Sequence, residues 1–517
     1  MSSTGACPMS SAPPSLRPPG SPWRHALEGA LSVATAVLAM TAAAWAALTV
    51  LGAGAIAPVA RLVPTMVSMA VGGGVTVEST PSAGSDGGGG LDGGLGGGLG
   101  GLLGGLGGGS GGLSLGLTGE AAVTPLMLTF LGTAVLAIGF FRPLRRRRRP
   151  APAMLWARCG GALATTAVLL PILTGTAQGT ARLPERVTER FGNGASSGAF
   201  SRFGGGGLTE GLSSVTFETD TAATVFFGLL GVGAVLALGC LAARRTTLPR
   251  PLALGRPRLK WHAVTSTVTG IGAVLCSSAL VVALLAGAAS LTGRDQAAKA
   301  AGLLLLLGPN LIAVLLTAGL GASWQAGMHR LQPEGGGGLL GMLGGAGAAQ
   351  GNAAGTDKSL DLGGWSGAGV PVWLLAMALM LLLLVIAGYV ASARTPARTP
   401  REDSEALLDR HAEIALRTGI AVGASALLLP LLAQGSLRIG VSLMGNEMGG
   451  MAAGLEGGLG LSALTGFVLA VLAAYAGSRL HGRRARRSGP TPQRRGTTGR
   501  RSAAARPAHR VPSDAVS

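Results

Sequence analysis

The stretch Lys299–Trp324, KAAGLLLLLGPNLIAVLLTAGLGASW, decides how the rest of the chain is read. After Lys299 it carries no charge, and it is long enough to enter a bilayer, whose core takes about 20 apolar residues of helix. Gly308, Pro309 and Asn310 stand at its centre. Proline removes a helical hydrogen bond and biases the preceding residue away from helix. Two readings follow. In one, a continuous helix is kinked; in the other, two half-helices enter and leave on the same side. Broken backbone inside a membrane is tolerated only where it is buried in protein or lines a cavity. Interrupted helices of this kind mark binding sites in transporters. The second reading therefore makes Gly308, Pro309 and Asn310 candidate substrate-binding residues, and the first makes them a kink.

Eight further apolar segments flank this one: Gly29–Val59, Ala121–Phe141, Gly160–Gly179, Thr221–Ala243, Ala263–Leu291, Val370–Ala391, Ala415–Ala433 and Leu459–Gly477. Charged residues make up 12% of the 517-residue chain and mean hydropathy is +0.48, against about 25% charge in soluble domains. The fold class expected is all-α: a polytopic transmembrane helical bundle of eight to ten spans. Its domain spans residues 26–480, between a disordered N-terminal tail (1–25) and a disordered basic tail (481–517). Gly29–Val59 is about twice the length of a signal-peptide core and reads as an uncleaved span. The last two segments are short for a full crossing.

The net charge of +19 is concentrated. Residues 142–158 hold seven arginines and no acid, residues 244–262 six basic residues and no acid, and the tail from Arg479 eleven arginines. Basic clusters abutting apolar spans mark cytoplasmic loops held at anionic lipid, not a nucleic-acid surface. Both termini are therefore expected in the cytoplasm of a plasma-membrane protein, which requires an even number of crossings. Nine segments do not give one. A same-side sixth segment restores parity, leaving eight crossings plus a re-entrant segment; the alternative is a tenth span hidden between Trp324 and Val370.

Loop composition favours the re-entrant solution. Gly87–Gly109, Phe203–Leu212, Gly335–Ala349 and Gly449–Gly460 share a Gly/Leu signature that the cytoplasmic loops lack. Glycine costs about 1 kcal/mol per helical position relative to alanine, so these outer loops are read as flexible linkers or as surfaces for protein or lipid. The chain then becomes four helical hairpins with Gly-rich outer loops. An echo joins LATTAVLLPILTG (Leu163–Gly175) to VGASALLLPLLAQG (Val422–Gly435), each with a proline after a Leu-Leu pair; apolar helices resemble one another too readily for this alone to establish duplication. Two amphipathic stretches stand apart. Ala181–Phe191 spaces Arg182, Arg186 and Arg190 four apart, as on a short outer helix. Thr399-Pro400-Arg401-Glu402 is a capping box expected to start a cytoplasmic helix through Leu407, Leu408, His411 and Ile414.

No catalytic motif emerges. HExxH, DFG, a P-loop and zinc-spaced cysteines are absent from the sequence, and neither GASWQAG nor GNEMGG fits a nucleophile elbow. The expectation is a non-enzyme with no cofactor and no metal. Cys159, Cys240 and Cys276 lie in or beside apolar segments and read as small buried residues.

The Gly/Leu outer loops, the Arg-punctuated inner loops and LLLLLGPNLIAVLLTAGLGASW together resemble the streptophobe family, Gly- and Ala-rich membrane proteins of Streptomyces and relatives, over most of residues 26–480. The resemblance implies a membrane location and assigns no functional residue. Two functions remain open: a permease for a small molecule or lipid with the sixth segment inside the bundle, or an envelope scaffold binding protein partners through its outer loops and basic tail.

Overall fold

The computed structural model describes residues 22–79, 115–145, 150–182, 214–290, 295–331, 358–361, 366–367, 370–396, 407–443 and 446–487. The first half runs α1 (Pro22–Leu51), α2 (Val59–Val71), β1 (Val75–Ser79), β2 (Leu115–Val123), α3 (Leu126–Arg145), α4 (Pro152–Thr176), β3 (Gly179–Arg182), β4 (Ser214–Thr219) and α5 (Thr221–Ala242). A long helix, α6 (Arg256–Ser290), leads to the second half. That half comprises α7 (Asp295–Gly319), β5 (Trp324–Leu331), β6 (Lys358–Asp361), α8 (Val372–Arg394), α9 (Arg410–Ala433), β7 (Gly435–Leu443), β8 (Asn446–Gly457) and α10 (Leu459–Arg487). Among the described residues nine helices, all of these but α2, are long and apolar enough to cross a membrane. Their outer faces are apolar: Leu38, Val274 and Leu285 are each about two-thirds exposed, at 66%, 68% and 65%. Contiguous apolar surface on that scale needs lipid as its solvent. Trp23 and Trp156 are exposed near one end of the bundle, Trp45 and Trp373 near the other, as an aromatic belt at each interface requires. The chain is a multi-pass membrane protein.

The all-α expectation is corrected at one end of the bundle. Eight strands form one antiparallel sheet in the order β3-β4-β1-β2-β7-β8-β5-β6, and Ser366–Gly367 pairs separately with Val370–Pro371. Its central ladder pairs β2 with β7 from Val123↔Gly435 to Leu115↔Leu443. The strands alternate with period two, so Leu437 and Ile439 share one face while Arg438 stands on the other, opposite Glu120. In the first half the apolar face is covered, with Val75 and Phe217 packing on Met69 and Ala57 beside α2. Gly449–Gly457, expected as flexible loop, belongs to β8. Gly87–Gly109, Phe203–Leu212 and Gly335–Ala349 lie outside the described residues.

The two halves share a plan. Each reads helix, strand, strand, helix, helix, strand, strand, helix, once α2 and the short hairpin of Ser366–Gly367 with Val370–Pro371 are set aside, and each contributes its strands to the large sheet in the same order: third, fourth, first, second. The halves are thus related by a step along the sheet, with β2 and β7 at the join. The echo falls on equivalent elements. Leu163–Gly175 lies in α4 and Val422–Gly435 in α9 and its exit, and each helix feeds the third strand of its half.

The sixth apolar segment is one continuous helix, α7, with Pro309 inside it; the break expected at Gly308-Pro309-Asn310 does not occur. Pro309 can keep helical φ, and neighbouring helices supply the packing that one lost hydrogen bond would otherwise weaken. Yet α7 begins and ends toward the sheet. A Cβ on Gly302 would meet Leu51 and the Ala47 carbonyl, at the sheet end of α1. Leu306 packs with Ala44, Leu48 and Leu128, and Leu320 joins a cluster with Leu384, Val422, Ala426, Ala470 and Ala473. Gly321, at φ 89°, then turns the chain back to Trp324, the first residue of β5. That left-handed conformation suits glycine. The reversal thus lies at Gly321, a dozen residues after the proline.

At the end remote from the sheet, an arginine closes each of the three helix connections among the described residues. Arg158 Nη1 donates to the Phe140 carbonyl at 3.1 Å, Arg258 Nε to Cys240 at 3.0 Å, and Arg410 Nη2 to Ser392 at 3.5 Å and Thr395 at 2.7 Å. In each case the arginine stands 18 residues after a carbonyl near the preceding helix's C-terminus, where unpaired carbonyls and the helix dipole favour a cation. Part of the basic signal is therefore intramolecular capping. Several boundaries also shift. The first helix starts at Pro22 and the last runs to Arg487, inside the two expected tails. Arg410–Ala433 and the last helix are longer than the short spans expected. Leu407 and Leu408 precede the ninth helix, which begins at Arg410, and Thr399–Glu402 lies outside the described residues. Arg182 ends β3, while 183–191 lies outside the described residues.

Candidate functional site

Asn310 is 7% exposed, and both ends of its amide are engaged. Its Oδ1 accepts from the Leu126 amide at 2.9 Å and its Nδ2 donates to the Thr124 carbonyl at 2.8 Å. Leu126 opens α3, whose first amides have no intrahelical partner. Asn310 thus caps α3 from another helix and ties the halves together. Gly308 completes the contact: a Cβ there would stand 3.3 Å from Ala279 and 3.5 Å from Met127. Of the three residues singled out from the sequence, Asn310 therefore acts as a brace, Gly308 as a close-packing position, and Pro309 is carried within the helix.

The open space lies elsewhere. A groove of about 750 Å³ runs between α3, α5 and α6, within the roughly 300–1,000 Å³ of ordinary ligand sites. Apolar side chains wall it, among them Phe130, Ile138 and Phe141 of α3 and Val235 and Leu238 of α5. Its α6 wall is smooth, built from Ser266, Thr269, Gly270, Gly272 and Ala273. A Cβ added at Gly270 or Gly272 would meet nothing within 4 Å. At the end remote from the sheet the lining includes Arg142, Arg145 and Arg244, all exposed, and among the described residues none that lines it is acidic. The groove thus lies between the first half and α6, the link to the second half. A second, smaller cavity of about 120 Å³ sits within the first half against Met40, Leu136, Leu170 and Gly228, and its lining is almost wholly apolar.

One ionic cluster escaped the sequence reading. Arg158, expected in a loop, is only 1% exposed within α4. Its Nη2 lies 2.7 Å from Glu28 Oε2, and its guanidinium stacks 5.7 Å from the Phe140 ring centre. His25 Nδ1 is 3.4 Å from the same carboxylate oxygen. The cluster sits where α1 and α4 touch backbone to backbone: a Cβ on Gly29 would lie 2.1 Å from the Arg158 carbonyl oxygen. The hint available in the sequence was Glu28, an acid alone at the mouth of an apolar span.

The chain matches no family model, no curated protein and no solved structure.

Proposed function

We propose that the protein is a permease-like membrane protein that handles an amphiphilic small molecule or lipid at the α3–α5–α6 groove, and that it belongs with the streptophobe proteins it resembles. The groove carries this reading. It is long, largely apolar and open, and it runs between the first half and the helix that links it to the second. Asn310 is not part of it. The accompanying topology has eight crossings with α7 re-entrant, the sheet outside the cell and both termini in the cytoplasm. What supports it is the path of α7, the even count it restores, and the arginines at the end remote from the sheet.

Two measurements test this. In a cysteine-free background, single cysteines placed in Gly335–Ala349 should react with an impermeant maleimide on intact cells. Protection until the cells are opened would remove the re-entrant topology. For function, the purified chain in liposomes should speed the exchange of a fluorescent phospholipid between leaflets above the protein-free rate. Ala273→Leu combined with Gly270→Leu, which fills the groove, should return it toward that rate. Exchange no faster than in empty vesicles would sink the permease reading.

The scaffold alternative has its own observation. Among the described residues no helix stands on the second half of the sheet where α2 covers the first half, and Met328, Leu437 and Met451 are 50%, 43% and 47% exposed. That strip is where an outer partner would bind.

A further inference from the structure

We infer that the groove takes one anionic phospholipid from the leaflet at the basic end, gripping its phosphate with Arg142, Arg145 and Arg244 and laying an acyl chain along α3 and α5. This rests on the groove being the site of the function proposed above, and it names the class of molecule. Three features carry it. First, the walls are apolar from Phe130 to Phe141 while Arg142 and Arg145 end the same helix, so one occupant must be apolar over most of its length and polar at one end. Phe130 and Arg145 are 15 residues apart, about 22 Å along a helix at about 1.5 Å per residue. That is most of one bilayer's hydrocarbon thickness and far longer than a small polar solute. Second, three cations share the mouth and no carboxylate among the described lining residues offsets them. Other arginines at this end are committed: Arg158, Arg258 and Arg410 are turned onto helix-terminal carbonyls. Guanidinium groups form paired hydrogen bonds with phosphate oxygens. Third, the depth is right. Trp156, 71% exposed near the start of α4, lies close in sequence to the arginines that end α3, and exposed tryptophans sit at headgroup level.

The smooth α6 wall separates this site from general surface electrostatics. A polybasic surface attracts anionic lipid whatever its neighbours' shape, whereas a seated chain needs the space opposite Gly270 and Ala273. The full chain in detergent, titrated with phosphatidylglycerol or with phosphatidylcholine of the same acyl chains and read by native mass spectrometry, tests the difference. The wild type should retain phosphatidylglycerol about tenfold or more over phosphatidylcholine, given the attraction expected of three arginines. Arg142→Gln/Arg145→Gln/Arg244→Gln should erase the preference. Gly270→Leu/Ala273→Leu, with every arginine in place, should erase it too. Arg483→Gln/Arg484→Gln/Arg486→Gln, on the exposed last turns of α10, should leave it intact. Equal losses in the tail variant, an unchanged preference after groove filling, or displacement of the lipid by inorganic phosphate at matched concentration would each overturn the inference. The two proposals fail separately. Selective binding without leaflet exchange would retire the permease and keep the lipid site; exchange insensitive to the triple arginine variant would do the reverse.

Discussion

Glu28→Ala should lower the stability of the folded bundle by about 2–4 kcal/mol, as a fall in the apparent melting temperature in detergent. Arg158 is 1% exposed, and Glu28, at 36% side-chain exposure, is the carboxylate beside its Nη2. Breaking a buried pair by deleting one partner typically costs about 3–5 kcal/mol, because the surviving charge stays buried and uncompensated. The range is set lower here since Glu28 is partly hydrated and the Phe140 carbonyl and ring still hold the guanidinium. The reverse variant makes the test sharp. Arg158→Met fills similar space with an apolar chain, and Glu28, partly exposed and beside His25, can turn to water. It should cost less than Glu28→Ala, even though it removes more contacts. If Arg158→Met proves the worse of the two, the capping bond to Phe140 dominates and the ion pair is incidental.

The bundle was legible in the sequence because the bilayer imposes one strong rule: a run of about 20 apolar residues has few other uses. The sheet was not. Strand alternation in GSLRIGVSL is clear once the pairing is known, but glycine at Gly435 and Gly440 and in the partner strands dilutes the period, and the strands flank glycine-rich segments. Nothing local distinguishes such a strand from a linker; its partners, Leu115–Val123 and Asn446–Gly457, supply the order. The same limit explains Arg158. Its neighbours in sequence are the arginines of a loop, while its burial depends on Gly29 and Gly161 letting two helices touch. For Lys299–Trp324, sequence could pose the choice between crossing and returning but misplaced the turn. A proline is the visible helix breaker, yet flanking helices absorbed it, and the helix ends instead just before the unobtrusive turn at Gly321.

Asn310→Ala should also destabilise the protein, by about 2–4 kcal/mol, and this variant separates a brace from a binding residue. The buried Leu126 amide and the part-buried Thr124 carbonyl both depend on its side chain, and an orphaned buried group costs about 1–3 kcal/mol. The carbonyl can recover part of that loss if water enters the vacated space, so the sum falls below the upper limit. Asn310→Leu fills the volume but restores neither bond, and should be no better than alanine. Hydrogen exchange at the start of α3 should rise in both variants, since the Leu126 amide would have lost its acceptor. The groove lies along α3 away from this contact, so lipid retained per folded molecule should hardly change. Normal stability with lost lipid retention would instead return Asn310 to the binding site that Gly308-Pro309-Asn310 first suggested. The brace explains why a polar residue persists at the centre of an apolar helix without any ligand: α3 starts beside it and needs an acceptor there.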